Sequence, residues 1–333
     1  MRYSYGYGYD KILSKNTQTP SSEDFIIEVN TELDGVSNSD QFQFTGAVGE
    51  YDVKAFQNDT EVASFENLVN QQTITLPSAG IYELRVIIKE AGFNKLTFNN
   101  SGDRLKLLKV LNWGLYGVNE PIQNGAFNGC SNNTEIADNG KWFDVVTNGS
   151  FMFINNSLTS LPLGMELPNL TNGSLMFWNN SLTSLPPEME LPNLTSGFRM
   201  FRQNSLTSLP ESMELPNLTD GREMFSGNSL TSLPSGMELN NLSEARDMFR
   251  FNSLTSLPTG MEFPNLSDGL RIFEGSTINT ERYSQLLIDL EANNNNNNVA
   301  FHGGLSTFNA QGEIARMALI ARGWTITDGG LEN

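Results

Sequence analysis

The sequence predicts a mixed β and α/β protein: a small β-sandwich, then a solenoid of short repeats, then a helical C-terminal cap. Three observations carry that expectation. Between Phe25 and Val110, apolar and polar residues alternate in short runs separated by turn residues. From about Leu111 to Gly275, Phe153, Phe177, Phe201, Phe225, Phe249 and Phe273 recur every 24 residues, in step with five copies of NSLTSLP. Beyond Thr277 the apolar spacing becomes that of amphipathic helices.

The opening segment, residues 1–23, carries Tyr3, Tyr5, Tyr7 and Tyr9 at alternate positions, followed by a polar Thr/Pro/Ser linker. It reads either as a fraying terminus or as an extended docking tail, because alternate side chains on an extended chain share one face. It has no apolar stretch of the kind that forms a secretory signal, and no later stretch has the roughly 18 apolar residues needed to span a bilayer. Export by that route and membrane insertion are therefore not expected.

Residues 24–110 hold seven strand candidates: FIIEVN, QFQFTG, YDVKAF, TITL, IYELRVII, KLTF and LKLLKVL. Turn signals at Ser37–Asp40 and Pro77–Gly80 separate them, which suggests a small antiparallel sandwich. No histidine, acidic cluster or phosphate-binding glycine loop occurs there, so this part reads as a platform.

Residues 111–276 form the repeat region. A period in the twenties rich in Leu and Asn predicts a leucine-rich-repeat solenoid, with the parallel strand in SLTSLP ended by proline. The segment MELPNLTSGFRMF then returns through a turn and a short helical or 3₁₀ piece. A unit buries about five large side chains at roughly 1.5–3 kcal/mol each, against about 1.5 kcal/mol to order each of its residues. It cannot fold alone, so repetition supplies the core. The divergent stretch AFNGCSNNTEIADNGKWFDVV reads as an atypical first coil.

Residues 277–333 carry two helix patterns, Tyr283, Leu286, Leu287 and Leu290, then Ile314, Met317, Ala318 and Ala321. Asn309 is the expected N-cap and Gly323 the expected stop, with a final WTIT strand.

At these residues the chain resembles the BspA-like leucine-rich-repeat surface proteins of bacteria and phage virions. The matching features are LNWG at Leu111–Gly114, AFNGC at Ala126–Cys130, the repeated MF followed by NSLTSLP, FHGG at Phe301–Gly304 and GWTITDGG at Gly323–Gly330. The preceding sandwich is similar to the Ig-like or PKD-like modules that accompany such repeats, although VKAFQNDTEV replaces their usual DWGDG-type turn. The resemblance implies adhesion and surface recognition, with no particular ligand.

Chemistry-bearing residues are few. The chain's single histidine, His302, and single cysteine, Cys130, have no partnered nucleophile or base motif, so no catalytic residue and no cofactor is expected. A net charge of -18 and a pI near 4.4 oppose binding to nucleic acid. Glu166, Glu190, Glu214, Glu238 and Glu262 recur at the period and are weak metal candidates, because a carboxylate ladder attracts Ca²⁺ while long exposed side chains splay apart. The N-x-S/T matches repeat one local pattern and carry little information.

Informative positions are those that vary between copies while the core phrase stays fixed. Trp178, Phe198, Arg202, Arg222, Arg246, Arg250 and Phe251 occupy such columns and are the candidate ligand-binding residues. The expected function is a non-enzymatic, virion-associated adhesion protein, such as a phage tail-fibre or receptor-binding component. It would recognise a host cell-surface glycan or protein through this face and join other virion proteins through Tyr3, Tyr5, Tyr7 and Tyr9. A capsid or tail decoration, or an adhesin of the bacterial cell surface, remains the alternative, and homo-oligomerisation is left open.

Overall fold

The computed structural model describes residues 21–89, 96–118, 122 and 124–332. Tyr3, Tyr5, Tyr7 and Tyr9 lie outside the described residues.

The chain opens with β1 (Phe25–Asn30), β2 (Gln41–Gln43), β3 (Glu50–Gln57), β4 (Thr60–Val69), β5 (Thr73–Thr75), β6 (Ile81–Ile88) and β7 (Leu107–Asn112). With β8 (Glu135–Ile136) these make a six-stranded sheet ordered β4-β3-β6-β1-β7-β8, covered by the pair β2-β5. Alternation selects the inward face: Phe25, Ile27 and Val29, then Tyr51, Val53 and Ala55, then Tyr82, Leu84 and Val86, all buried. Six of the seven expected strands form. KLTF does not, since Leu96–Phe98 is unassigned to any strand and its Phe98 N–H donates to Ala126 O at 2.8 Å. An unexpected strand, β4, takes the sheet edge, and none of its residues is fully buried. It follows a two-residue turn at Asn58 and Asp59, both left-handed (φ 48° and 59°), as a type I′ hairpin requires.

Lys106 and Asp103 form a buried pair inside this unit, both side chains fully enclosed at 3.9 Å. The Lys106 ammonium donates to Ser37 O, Asn38 O and Gln41 O at 3.1, 2.8 and 3.0 Å. Asp103 accepts from the Val36, Ser37 and Gln43 amides at 2.8, 3.1 and 2.7 Å. Burial holds the Lys106 amine below its ordinary pKa.

The parallel pairing of β7 with β8 passes the sheet into the repeat region, where Trp113 packs edge-on against Phe127 and Trp142. One apolar core runs across residues 110 and 276 without interruption. The expected leucine-rich-repeat solenoid, with a parallel strand in every SLTSLP, is not formed. No SLTSLP copy contains a strand, and the described residues form instead a mixed β-rich fold with two short α-helices. The reason lies in the bonding. Within SLTSLP the first serine reaches the previous coil, as in Ser181 N–H to Leu158 O and Ser205 N–H to Leu182 O, both 2.9 Å. In two copies the threonine follows at 3.2 Å, Thr183 N–H to Thr159 O and Thr255 N–H to Thr231 O, after which the bonding stops. A ladder needs successive bonds, and the closing proline cannot supply one. Neighbouring coils meet instead at isolated parallel bridges, Asn148↔Asn172, Asn172↔Ser196, Ser196↔Asp220, Asp220↔Glu244 and Glu244↔Asp268. The expected short helical return is also absent. Turns replace it, with left-handed residues four apart, such as Arg199 and Gln203 or Asp247 and Phe251.

The fixed letters of the repeat are explained by contacts one coil away. Phe153, Phe177, Phe201, Phe225, Phe249 and Phe273 are stacked, with neighbouring centroids 5.6–5.9 Å apart and planes within 8° of parallel. The asparagine that opens each NSLTSLP is buried and cross-links coils. Asn204 accepts from Leu182 N–H at 3.0 Å and donates to Phe177 O and Phe201 O at 2.9 and 3.2 Å. The later asparagines are used as well, Asn193 donating to Pro168 O and Asn217 to Pro192 O. Those asparagines belong to the N-x-S/T matches, whose structural reading is therefore an inter-coil bond.

Glycine and methionine are coupled in the same way. A Cβ at Gly173 or Gly197 would stand 2.6 Å from Sδ of Met200 or Met224 in the next coil. Where the glycine column carries Ala245, the methionine column one coil on carries Ile272. Gly197→Ala should therefore cost about 1–3 kcal/mol through overpacking. Adding Met224→Ile should recover a large part of it in a urea double-mutant cycle. Strictly additive losses would show that the two columns do not share space.

After β9 (Asp268–Gly269) come α1 (Thr280–Asn293), β10 (Ala300–His302), β11 (Thr307–Phe308), α2 (Ala310–Ala321), β12 (Thr325–Thr327) and β13 (Gly330–Leu331). Parallel β12-β10-β9 continues the bridge line of the coils, Ala300 pairing with Asp268 and with Thr325. The cap is thus part sheet, and its helices are short. Asn279 and Asn309 cap them, and Gly323 (φ 86°) follows the second. α1 buries Tyr283, Leu286, Leu287 and Leu290 as expected. α2 does not follow its expected face. It buries Gly312, Ala315 and Leu319, leaving Ile314 and Met317 exposed, because Gly312 is the position that packs closely against Ser284 of α1.

Candidate binding face

The coil backbone decides which residues face outward. Left-handed φ at Arg199, Glu223, Asp247 and Arg271 (56–59°) sets these residues beside the Met-Phe ladder, Asp247 buried and the other three half-buried. The residues after Phe177, Phe201, Phe249 and Phe273 lie next to them, giving Trp178, Arg202, Arg250 and Glu274, whereas Ile154 and Ser226 in the same column are buried. The column after each glycine or alanine adds Phe198, Arg222 and Arg246. All six cations between residues 145 and 275 lie in these columns.

The structure groups the seven expected residues into three neighbourhoods. In the first, Trp178 is flanked by Arg199 and Arg202 at 5.5 and 5.4 Å from its ring, and its Nε1–H donates to Gln203 Oε1 at 2.7 Å. Phe198 lies under Arg199 and Arg222 at 4.6 and 5.3 Å. Glu223 holds Arg199 and Arg202 at 2.7 and 3.0 Å. In the second, Arg250 stacks over exposed Phe251 at 4.1 Å and pairs with Glu274 at 2.9 Å, while Arg271 pairs with Asp247 at 2.7 Å. In the third, Arg222 pairs with Asp220 at 2.8 Å and Arg246 with Asp268 at 2.7 Å. The hydrogen bond to Asp220 raises the Arg222 pKa further.

Each arginine thus already holds a carboxylate. The face is an ion-pair network bearing aromatic rings. Arg199, Gln203, Glu223, Asp247, Arg271 and Glu274 take part without having been singled out as site residues. Their signal was opposite charge one period apart, as in Arg199 and Glu223, Asp247 and Arg271, or Arg250 and Glu274. Phe151, 43% exposed, adds an aromatic ring in the first regular coil.

The other candidates take their places elsewhere. Glu166, Glu190, Glu214 and Glu238 are exposed and Glu262 is half-buried; among the described residues no group of three His, Cys, Asp or Glu side chains could hold a metal ion. His302 accepts the Gly304 N–H at Nδ1 (3.1 Å) within the cap turn. Cys130 is buried, and burial pushes its thiol pKa up. No helix among the described residues is long and apolar enough to cross a membrane. No protein-family model matches the chain, and no curated protein matches it either.

Proposed function

We propose that this chain is a non-enzymatic adhesion protein of the BspA-like surface type, carried on a virion, whose coil stack presents the Trp178–Phe198–Phe251 face to a bacterial surface carbohydrate. The observation that supports this reading is the division of labour within the repeat. The phenylalanine, methionine, leucine and opening-asparagine columns are buried and held by contacts between coils, while aromatic and charged residues change on one flank. Rings such as Phe251, 56% exposed, offer apolar faces of the kind that sugars stack on. Matched ion pairs around them fix the rings in place and leave the flank with little net charge, which suits a neutral glycan better than an anionic one. Docking to other virion proteins is assigned to the tail with Tyr3, Tyr5, Tyr7 and Tyr9, and the place of action to the virion surface.

The test is a glycan-array and cell-binding comparison of the native chain with a Trp178→Ala, Phe198→Ala double variant of unchanged melting temperature. A loss of at least tenfold in apparent affinity is expected, corresponding to about 1.4 kcal/mol, modest for two aromatic contacts at an interface. Undiminished binding would remove this face from the function.

A further inference from the structure

Regular coils place two residues each in the left-handed region, and the two columns they form are filled differently. The second column is Asn155, Asn179, Gln203, Gly227, Phe251 and Gly275, mostly asparagine and glycine, the residue types that take this conformation at least cost. The first is Phe151, Leu175, Arg199, Glu223, Asp247 and Arg271, with φ of 56–62° and neither glycine nor asparagine. Glycine would hold the same turn, because the inter-coil bond at this position is made by backbone, Arg199 N–H donating to Arg222 O at 3.0 Å. The first column therefore keeps side chains where the backbone disfavours them, and strain of this kind collects where a side chain serves something other than stability.

The service is the same in both ring neighbourhoods, although the order of charge is reversed, Arg199 preceding Glu223 and Asp247 preceding Arg271. In each, the acid of the column reaches the arginine that follows a Phe, Glu223 meeting Arg202 at 3.0 Å and Asp247 meeting Arg250 at 3.4 Å. Those arginines cover Trp178 at 5.4 Å and Phe251 at 4.1 Å. Arg199 itself lies between two rings, 5.5 Å from Trp178 and 4.6 Å from Phe198, with Nε and Nη2 donating to Glu223 Oε1 at 3.0 and 2.7 Å. A half-exposed pair such as Arg199–Glu223 returns little stability, less than two left-handed residues cost.

We propose that Arg199 and Glu223, with Asp247 and Arg271, are positioning residues of the binding face. They hold Trp178, Phe198 and Phe251 in one orientation before a neutral glycan arrives, so the rings need not be ordered at the moment of binding. This rests on the adhesion reading and adds to it the residues that set affinity without touching the sugar.

The test compares Arg199→Gly and Arg199→Lys with the native full chain in stability, ring exposure and binding. Arg199→Gly removes the clamp and the strain at once. Its melting temperature should stay within about 2 °C of native, because relief of strain offsets the lost ion pair. Acrylamide quenching should rise, and Trp178 reports it because Trp113, Trp142 and Trp324 are all buried. Apparent affinity for the neutral glycans of a printed array should fall about fivefold or more, as for two rings that must be ordered on binding. Arg199→Lys keeps a cation near both rings and opposite Glu223, and should restore part of the affinity. A fall in the melting temperature of Arg199→Gly beyond about 5 °C makes the pair structural and overturns the proposal. A stable Arg199→Gly with native affinity overturns it as well; where the Trp178→Ala, Phe198→Ala variant has lost binding in the same assay, the face keeps its role and only this inference fails. Native-like binding by that double variant removes the face, and the proposal with it.

Discussion

Phe201→Ala should lower the unfolding free energy by about 3–5 kcal/mol, the range for a buried aromatic truncated where its surroundings relax only in part. The ring is fully buried and stacked between Phe177 and Phe225 at 5.6 and 5.7 Å. Backbone bonds on both sides hold its neighbours in place, Phe177 N–H to Met200 O and Phe201 N–H to Met224 O. The cavity therefore cannot close by a shift of one coil alone. Urea titration measures the loss, and Phe201→Leu should retain a substantial part of the stability. Native-like stability of the alanine variant would mean that the ring column is not what joins the coils.

Lys106→Met should cost a similar amount, about 3–5 kcal/mol, because it removes one partner of a fully buried ion pair. Three backbone carbonyls at Ser37, Asn38 and Gln41 lose their donor, and the Asp103 carboxylate keeps its amide donors but loses its countercharge. The effect should be confined to the first unit. Tryptophan fluorescence reporting on the repeats and hydrogen exchange in the Gly35–Gln41 loop would separate a local loss from a global one. An unchanged melting profile would show that the loop does not depend on the ammonium.

The sequence made the existence of the repeat plain, because the period of Phe and Leu is set by inter-coil stacking and needs no knowledge of backbone shape. It misled on what the repeat is made of. SLTSLP has the composition of a strand, but composition does not reveal that only its first serine and, in two copies, its threonine bond backbone to backbone across coils, while the side-chain link is carried by Asn204 and its equivalents. Left-handed Arg199 and Asp247 were invisible for a related reason: most non-glycine residues avoid that region, and only the turn geometry imposes it. In the first unit β4 escaped notice because an edge strand with exposed residues has no buried alternation to read. On α2 the apolar letters Ile314 and Met317 outweighed Gly312, whose missing side chain decides the packing. At the binding face the columns were legible and their pairing was not, since a charge one period away looks remote until the coils are superposed.

The pairing of Gly197 with Met224, and of Ala245 with Ile272, makes the coils modular in a directional way. Units between Gly149 and Gly221 present the same socket and the same plug, so unequal recombination could add or remove a whole 24-residue block there and leave every glycine–methionine junction unchanged. The junction at Ala245 is keyed differently and accepts the short isoleucine of the last coil. Removing the block 245–268 would set Ile272 over Gly221 and leave a hollow where a methionine belongs. The face can therefore lengthen or shorten from its middle while its terminal coil, matched to the cap, stays with the cap.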